Sequence, residues 1–113
     1  MSDSFDQIEI PPSFAALYTS PSGRPTAPRT EVRARYELCE DLAQHLTEVA
    51  QTTMFDLGLS EDLVLARCLT GLQAEPAVVT AGEAVWVIRR LAELLGWEDP
   101  GSLHAPDASS GNG

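Results

Sequence analysis

The chain has 113 residues, enough for one small domain with a modest core, and 43% of them are hydrophobic against 21% charged, the balance of a folded protein. Seventeen acids face seven bases for a net charge of −10, and every base is arginine. Without lysine there is no Schiff-base amine and no phosphate-loop lysine, and the acidic balance opposes binding to nucleic acid or anionic membrane while favouring cationic partner surfaces.

Residues 1–10 carry Asp3, Asp6 and Glu9 and have the composition of a disordered acidic terminus. They lack the basic start and apolar run of a signal peptide, and eighteen consecutive apolar residues occur nowhere, so a cytoplasmic protein with no membrane contact is expected. In IPPSFAALY, Pro11 and Pro12 stiffen the approach and Ser13 can cap a short helical turn near residues 13–18. That turn puts Phe14, Leu17 and Tyr18 on one side. They either dock on the core or form a linear motif for a protein partner.

Thr19 to Arg29 is rich in Pro, Ser and Gly and reads as a loop, part of a Pro-rich lead-in over residues 11–29. The long stretch that follows has no Pro or Gly and predicts one helix over residues 30–57, with Thr30 as a plausible N-cap. Tyr36, Cys39, Leu42, Ala43, Leu46, Val49, Ala50, Thr53 and Leu57 recur at steps of three and four and make one apolar stripe. Such a helix is roughly 40 Å long, so later elements must lie along it. Gly58 suits the left-handed stop, and Ser60 at once caps a second helix over residues 60–72 that is apolar around much of its girth.

Thr80 and Glu83 form a T-x-x-E capping box that opens a third helix over residues 80–95, ended by Gly96. Its stripe is Ala81, Ala84, Val85, Ile88, Leu91, Ala92 and Leu95, widened by Trp86, Val87 and Leu94. The elements predict an all-α fold: a small three-helix bundle with one long N-terminal helix, a short crossing helix and a third, antiparallel helix, in one domain over residues 11–97. Residues 98–113 have the composition of a disordered tail. The width of the third stripe leaves room for a homodimer, and covering by Phe14 and Tyr18 explains it equally well.

The string PPSFAALYTSPSGRPTAPRTEVRARYELCEDLAQHLTE, with the later VTAGEAVWVIRRLAELLGW, resembles a family of small uncharacterised proteobacterial proteins. Its members often carry the label "ATPase with chaperone activity". The resemblance spans Ile10 to Trp97 and implies a small cytoplasmic bacterial protein.

Two polar groups stand out as candidate chemistry. Glu37, Asp41, His45 and Glu48 lie three or four residues apart on the long helix, but a metal needs ligands converging from more than one helix, so a solvated face is the expected reading and no metal is assigned. Arg24, Arg29, Arg33 and Arg35 cluster at a helix N-terminus, where unpaired N–H groups favour anions, although Glu31 and Glu37 stand at ion-pairing distance along the helix. Ser13, Ser60 and Thr80 are better used as caps than as nucleophiles, and Cys39 and Cys68 read as buried apolar side chains. No catalytic residue and no cofactor is assigned. The expected function is that of a small acidic, non-enzymatic interaction protein, an adaptor or chaperone-like regulator; the alternative is a subunit or accessory of an ATP-dependent enzyme or chaperone system, with weak anion or nucleotide binding at the arginines.

Overall fold

A computed structural model describes residues 9–100. Of the terminal disorder expected for residues 1–10 and 98–113, the parts at 1–8 and 101–113 lie outside the described residues. The fold is an all-α bundle with one long helix. A short helix, α1 (Pro12–Ala15), continues as a 3₁₀ turn over Ala16–Tyr18; α2 is Arg29–Leu57, α3 is Glu61–Gln73 and α4 is Ala81–Leu95. No strand occurs among the described residues, only an isolated antiparallel bridge between Thr19 and Pro25. Two compact units divide the chain after Leu38, and α2 runs through both.

In the first unit the expected turn at residues 13–18 forms. The carbonyl of Pro11 accepts from the N–H groups of Phe14 and Ala15, at 3.0 and 2.9 Å, so the proline pair starts the helix without a side-chain cap. Phe14 is fully buried, its ring 5.6 Å from Tyr36 in an edge-on arrangement and 5.8 Å from Tyr18. The following loop is a closed turn. The Arg24 carbonyl accepts from Ser20 N–H at 2.7 Å, the Tyr18 carbonyl accepts from Thr26 N–H at 2.8 Å, and Gly23 at φ +89° supplies the left-handed residue between them.

Helix α2 begins at Arg29, two residues earlier than a Thr30 cap implies. The Pro28 carbonyl accepts from Glu31 N–H and Val32 N–H, both at 3.0 Å, which makes Pro28 the capping residue and puts Thr30 inside the first turn. The buried stripe also shifts. Val32, Cys39, Ala43 and Ala50 are buried, while Val49 and Leu57, expected inside, are exposed. For Leu57 the physical reason is length: α2 has 29 residues against 13 in α3 and 15 in α4, so its last turn lies beyond their cover; Val49, one residue before the fully buried Ala50, is turned off the buried face.

The second unit is built on α4. Glu83, Ala84, Trp86, Val87, Ile88, Leu91 and Ala92 are buried, against Val64, Leu65 and Leu69 in α3. The helix buried around most of its girth is therefore α4 and not the shorter α3 before it, whose Leu63 and Ala66 face outward. Because the buried positions of α2 here are the small Cys39, Ala43 and Ala50, most of the core volume comes from the other two helices.

Helix ends follow local chemistry. Ser60 Oγ accepts from Leu63 N–H at 3.4 Å to start α3. At α4 the capping box is complete: Glu83 N–H donates to Thr80 Oγ1 at 3.1 Å and Thr80 N–H donates to Glu83 Oε1 at 2.9 Å, which partners the buried carboxylate. Gly58 N–H donates to the Met54 carbonyl at 2.9 Å, a simple left-handed stop. Gly96 makes a Schellman ending, with Trp97 N–H on the Ala92 carbonyl at 2.8 Å and its own N–H on Glu93 at 3.1 Å.

Gly96 sits at φ +73° with open space where a Cβ would stand, so its requirement is backbone conformation and not room. Gly96→Ala is expected to lower unfolding free energy by about 1 kcal/mol in urea titration, whereas Gly71→Ala, inside α3 with equal space, is expected to raise it by up to about 1 kcal/mol.

Candidate functional site

Of the three residues expected to meet a partner, Phe14 is interior, Tyr18 is half-buried against it, and Leu17 is 39% exposed. The turn is thus anchored on the start of α2 through the Phe14 contact with Tyr36. Trp86, read from the sequence as widening the stripe of the last helix, is also buried, and Trp97 is half-buried after the Gly96 stop.

The four arginines do not share one face. Arg24 is exposed in the turn before α2, and Arg29 and Arg33 stand one helical turn apart, but Arg35 is rotated by roughly 200° from Arg33 at 100° per residue. Arg33 and Arg35 are half-buried and Arg29 is exposed. Glu37, Asp41, His45 and Glu48 are all exposed on α2, and among the described residues no group of three or more His, Cys, Asp or Glu side chains is placed to hold a metal ion. Cys39 and Cys68 are free thiols; burial pushes the Cys68 thiol upward, partly opposed by the nearby charge of Arg67.

The strongest electrostatic feature joins residues fifty positions apart. Arg90 Nε donates to Glu40 Oε1 at 2.9 Å and its Nη2 donates to Glu40 Oε2 at 3.0 Å, a two-pronged pair between α4 and α2. The remaining Nη1 donates to Glu93 at 2.8 Å. The hydrogen bond from Arg90 holds the Glu40 carboxyl below its ordinary value, against the upward push of burial and with help from the Gln44 amide, which donates to Glu40 Oε2 at 2.9 Å. Arg90 is correspondingly raised, first by Glu40 and then by Glu93. Arg89 makes a second two-pronged pair with Asp99, at 3.2 and 3.0 Å, that ties the segment after α4 to its helix. Glu93 stands three residues after Arg90 on the same helix, within reach by spacing. Glu40 carries no sequence signal beyond being an acid on the neighbouring helix.

A surface without a sequence signal is the corner between α2 and α3. Phe55 is 86% exposed, Leu57 54% and Leu63 53%. An open groove of about 590 Å³ in the following stretch of chain is lined by Leu59, Leu63, Ala66, Arg67, Thr70 and Gly71. Arg67 is the single charged residue of that lining. The helix stop at Gly58 turns the chain so that Phe55 and Leu57 on one side and Leu59 and Leu63 on the other fall within nine residues. No helix among the described residues is long and apolar enough to cross a membrane.

No protein-family model, no curated protein and no solved structure matches this chain.

Phe14→Ala is expected to cost about 3 kcal/mol and to release residues 12–18 to fast amide hydrogen exchange while α4 stays protected. Glu40, with its folded-state pKa lowered, contributes stability that is full above its unfolded value near 4.5 and is lost as pH falls through the folded value. Glu40→Gln is therefore expected to cost about 1–2 kcal/mol at neutral pH, and urea titrations of the two proteins should converge as the pH drops below about 4.5.

Proposed function

We propose that this chain is a cytoplasmic, non-enzymatic protein-interaction domain of the adaptor or chaperone-regulator kind, and that its working surface is the corner between α2 and α3. The observation that carries this reading is the density of large apolar side chains left in water there: Phe55, Leu57 and Leu63 are exposed, and Leu63 also lines an open, largely apolar groove. Contiguous apolar surface on a small domain marks a contact site, because each such side chain gains about 1.5–3 kcal/mol when fully covered. The high negative charge keeps such a surface from indiscriminate aggregation. The resemblance to proteobacterial proteins labelled as chaperone-linked ATPases supports an accessory role beside such a machine.

A second reading, weak anion or nucleotide binding at Arg24, Arg29, Arg33 and Arg35, draws on the exposure of Arg24 and of Arg29 at the first residue of α2, where unpaired N–H groups and the helix dipole favour an anion. The split of Arg33 and Arg35 onto different faces limits such a site to two or three of the four.

A photo-reactive side chain placed at position 55 is expected to capture a protein in cells, and the same probe at the solvated position His45 is expected to capture none. Absence of any adduct at position 55 ends the interaction reading. ATP that moves the amide signals of residues 29–35 would favour the second.

A further inference from the structure

We propose that the partner of the α2–α3 corner is a second copy of this chain, joined in a two-fold dimer in which Phe55 of each copy enters the groove of the other. This rests on the reading of the corner as an interaction surface and names its occupant.

The argument begins with what the groove would accept. It is lined by Leu59, Leu63, Ala66, Thr70 and Gly71, and its one charged lining residue is the cation Arg67. A fitting occupant is a large apolar side chain followed closely by a carboxylate. Among the described residues, Phe55 is the most exposed large hydrophobic side chain, and Asp56 follows it directly and is exposed. Among the described residues neither Asp56 nor Arg67 makes an ion pair.

Phe55 cannot serve its own groove while it stands 86% exposed. It can serve a neighbour's. An interface of two-fold symmetry must carry knob and hole in the same patch, because residue i of one copy meets residue j of the other while j meets i. The corner satisfies this: Phe55 and Asp56 on the end of α2 and the groove on α3 are separated only by the stop at Gly58. Pairing two copies would cover Phe55, Leu57 and Leu63 twice over and set two Asp56–Arg67 pairs at the rim. A charge of −10 on each copy opposes approach at low salt, so association should be read at about 0.15 M salt, where screening acts over about 8 Å.

The test is sedimentation equilibrium of the purified full chain at about 0.15 M salt over a concentration range reaching about 0.5 mM. A monomer–dimer equilibrium is expected, with a dimer of twice 12.2 kDa. Phe55→Ser should raise the dissociation constant at least about tenfold without changing helicity, since the side chain makes no contribution to the core. Asp56→Arg and Arg67→Asp should each weaken the dimer several-fold, and the double exchange should restore it, a recovery that only a cross-copy pair produces. A chain that stays monomeric throughout, or a dimer indifferent to Phe55→Ser and to the double exchange, overturns the inference. So does a monomer whose groove signals shift when residues 1–8 are deleted, which would assign the groove to the chain's own Phe5 and Asp6. If the purified chain is monomeric yet position 55 captures a different protein in cells, the second-copy inference fails and the interaction reading stands; if neither occurs, both fail.

Discussion

The length of α2 is the constraint from which the other features follow. A helix of 29 residues spans roughly 44 Å, about twice the reach of α3 or α4, and no single later element can cover its apolar stripe from end to end. The start of α2 is served by the turn at residues 12–18, whose Phe14 ring lies against Tyr36. From Cys39 onward the buried positions are small, and α4 supplies the bulk. Among the described residues nothing covers the last turn, and Phe55 and Leu57 stand exposed there. The proposed working surface is thus a consequence of the same mismatch that makes the short N-terminal turn necessary.

Arginine is put to different uses along this acidic chain. Arg90 satisfies two carboxylates at once and links helices whose contacting residues are fifty positions apart, with Glu40 largely shielded from water. Such a pair sets the relative placement of α4 and α2 more than it adds to stability, because desolvating both groups offsets much of their attraction. Arg89 holds Asp99 at an exposed site, where an ion pair contributes little. Arg67 has no such role inside the chain. Its position on the wall of an apolar groove makes it the one cation placed to discriminate among occupants.

Much of the secondary structure was legible in the residues because its determinants are short-ranged. The Thr80 and Glu83 box, the Ser60 cap and the left-handed stops at Gly58 and Gly96 each depend on atoms within five residues, and each appears where its motif stands. The start of α2 is the exception: Pro28 competes with Thr30 for the cap, and the preceding turn delivers the chain so that the proline carbonyl takes the first helical bonds. Apolar stripes were less legible. Spacing marks the residues that can share a face but not how far along the helix that face is covered, so Val32 is inside and Leu57 outside against the stripe read from spacing.

The sequence by itself determined an all-α chain, the number and order of its long helices, where they stop, and an acidic, lysine-free surface, since these rest on local backbone chemistry and on composition. Tertiary structure alone decided that Phe14 and Trp86 are core, that Glu40 and not only Glu93 answers Arg90, and that Phe55 stands exposed. Each of those outcomes depends on which residues distant in the chain approach one another, and burial or pairing at such range leaves no period or spacing to read.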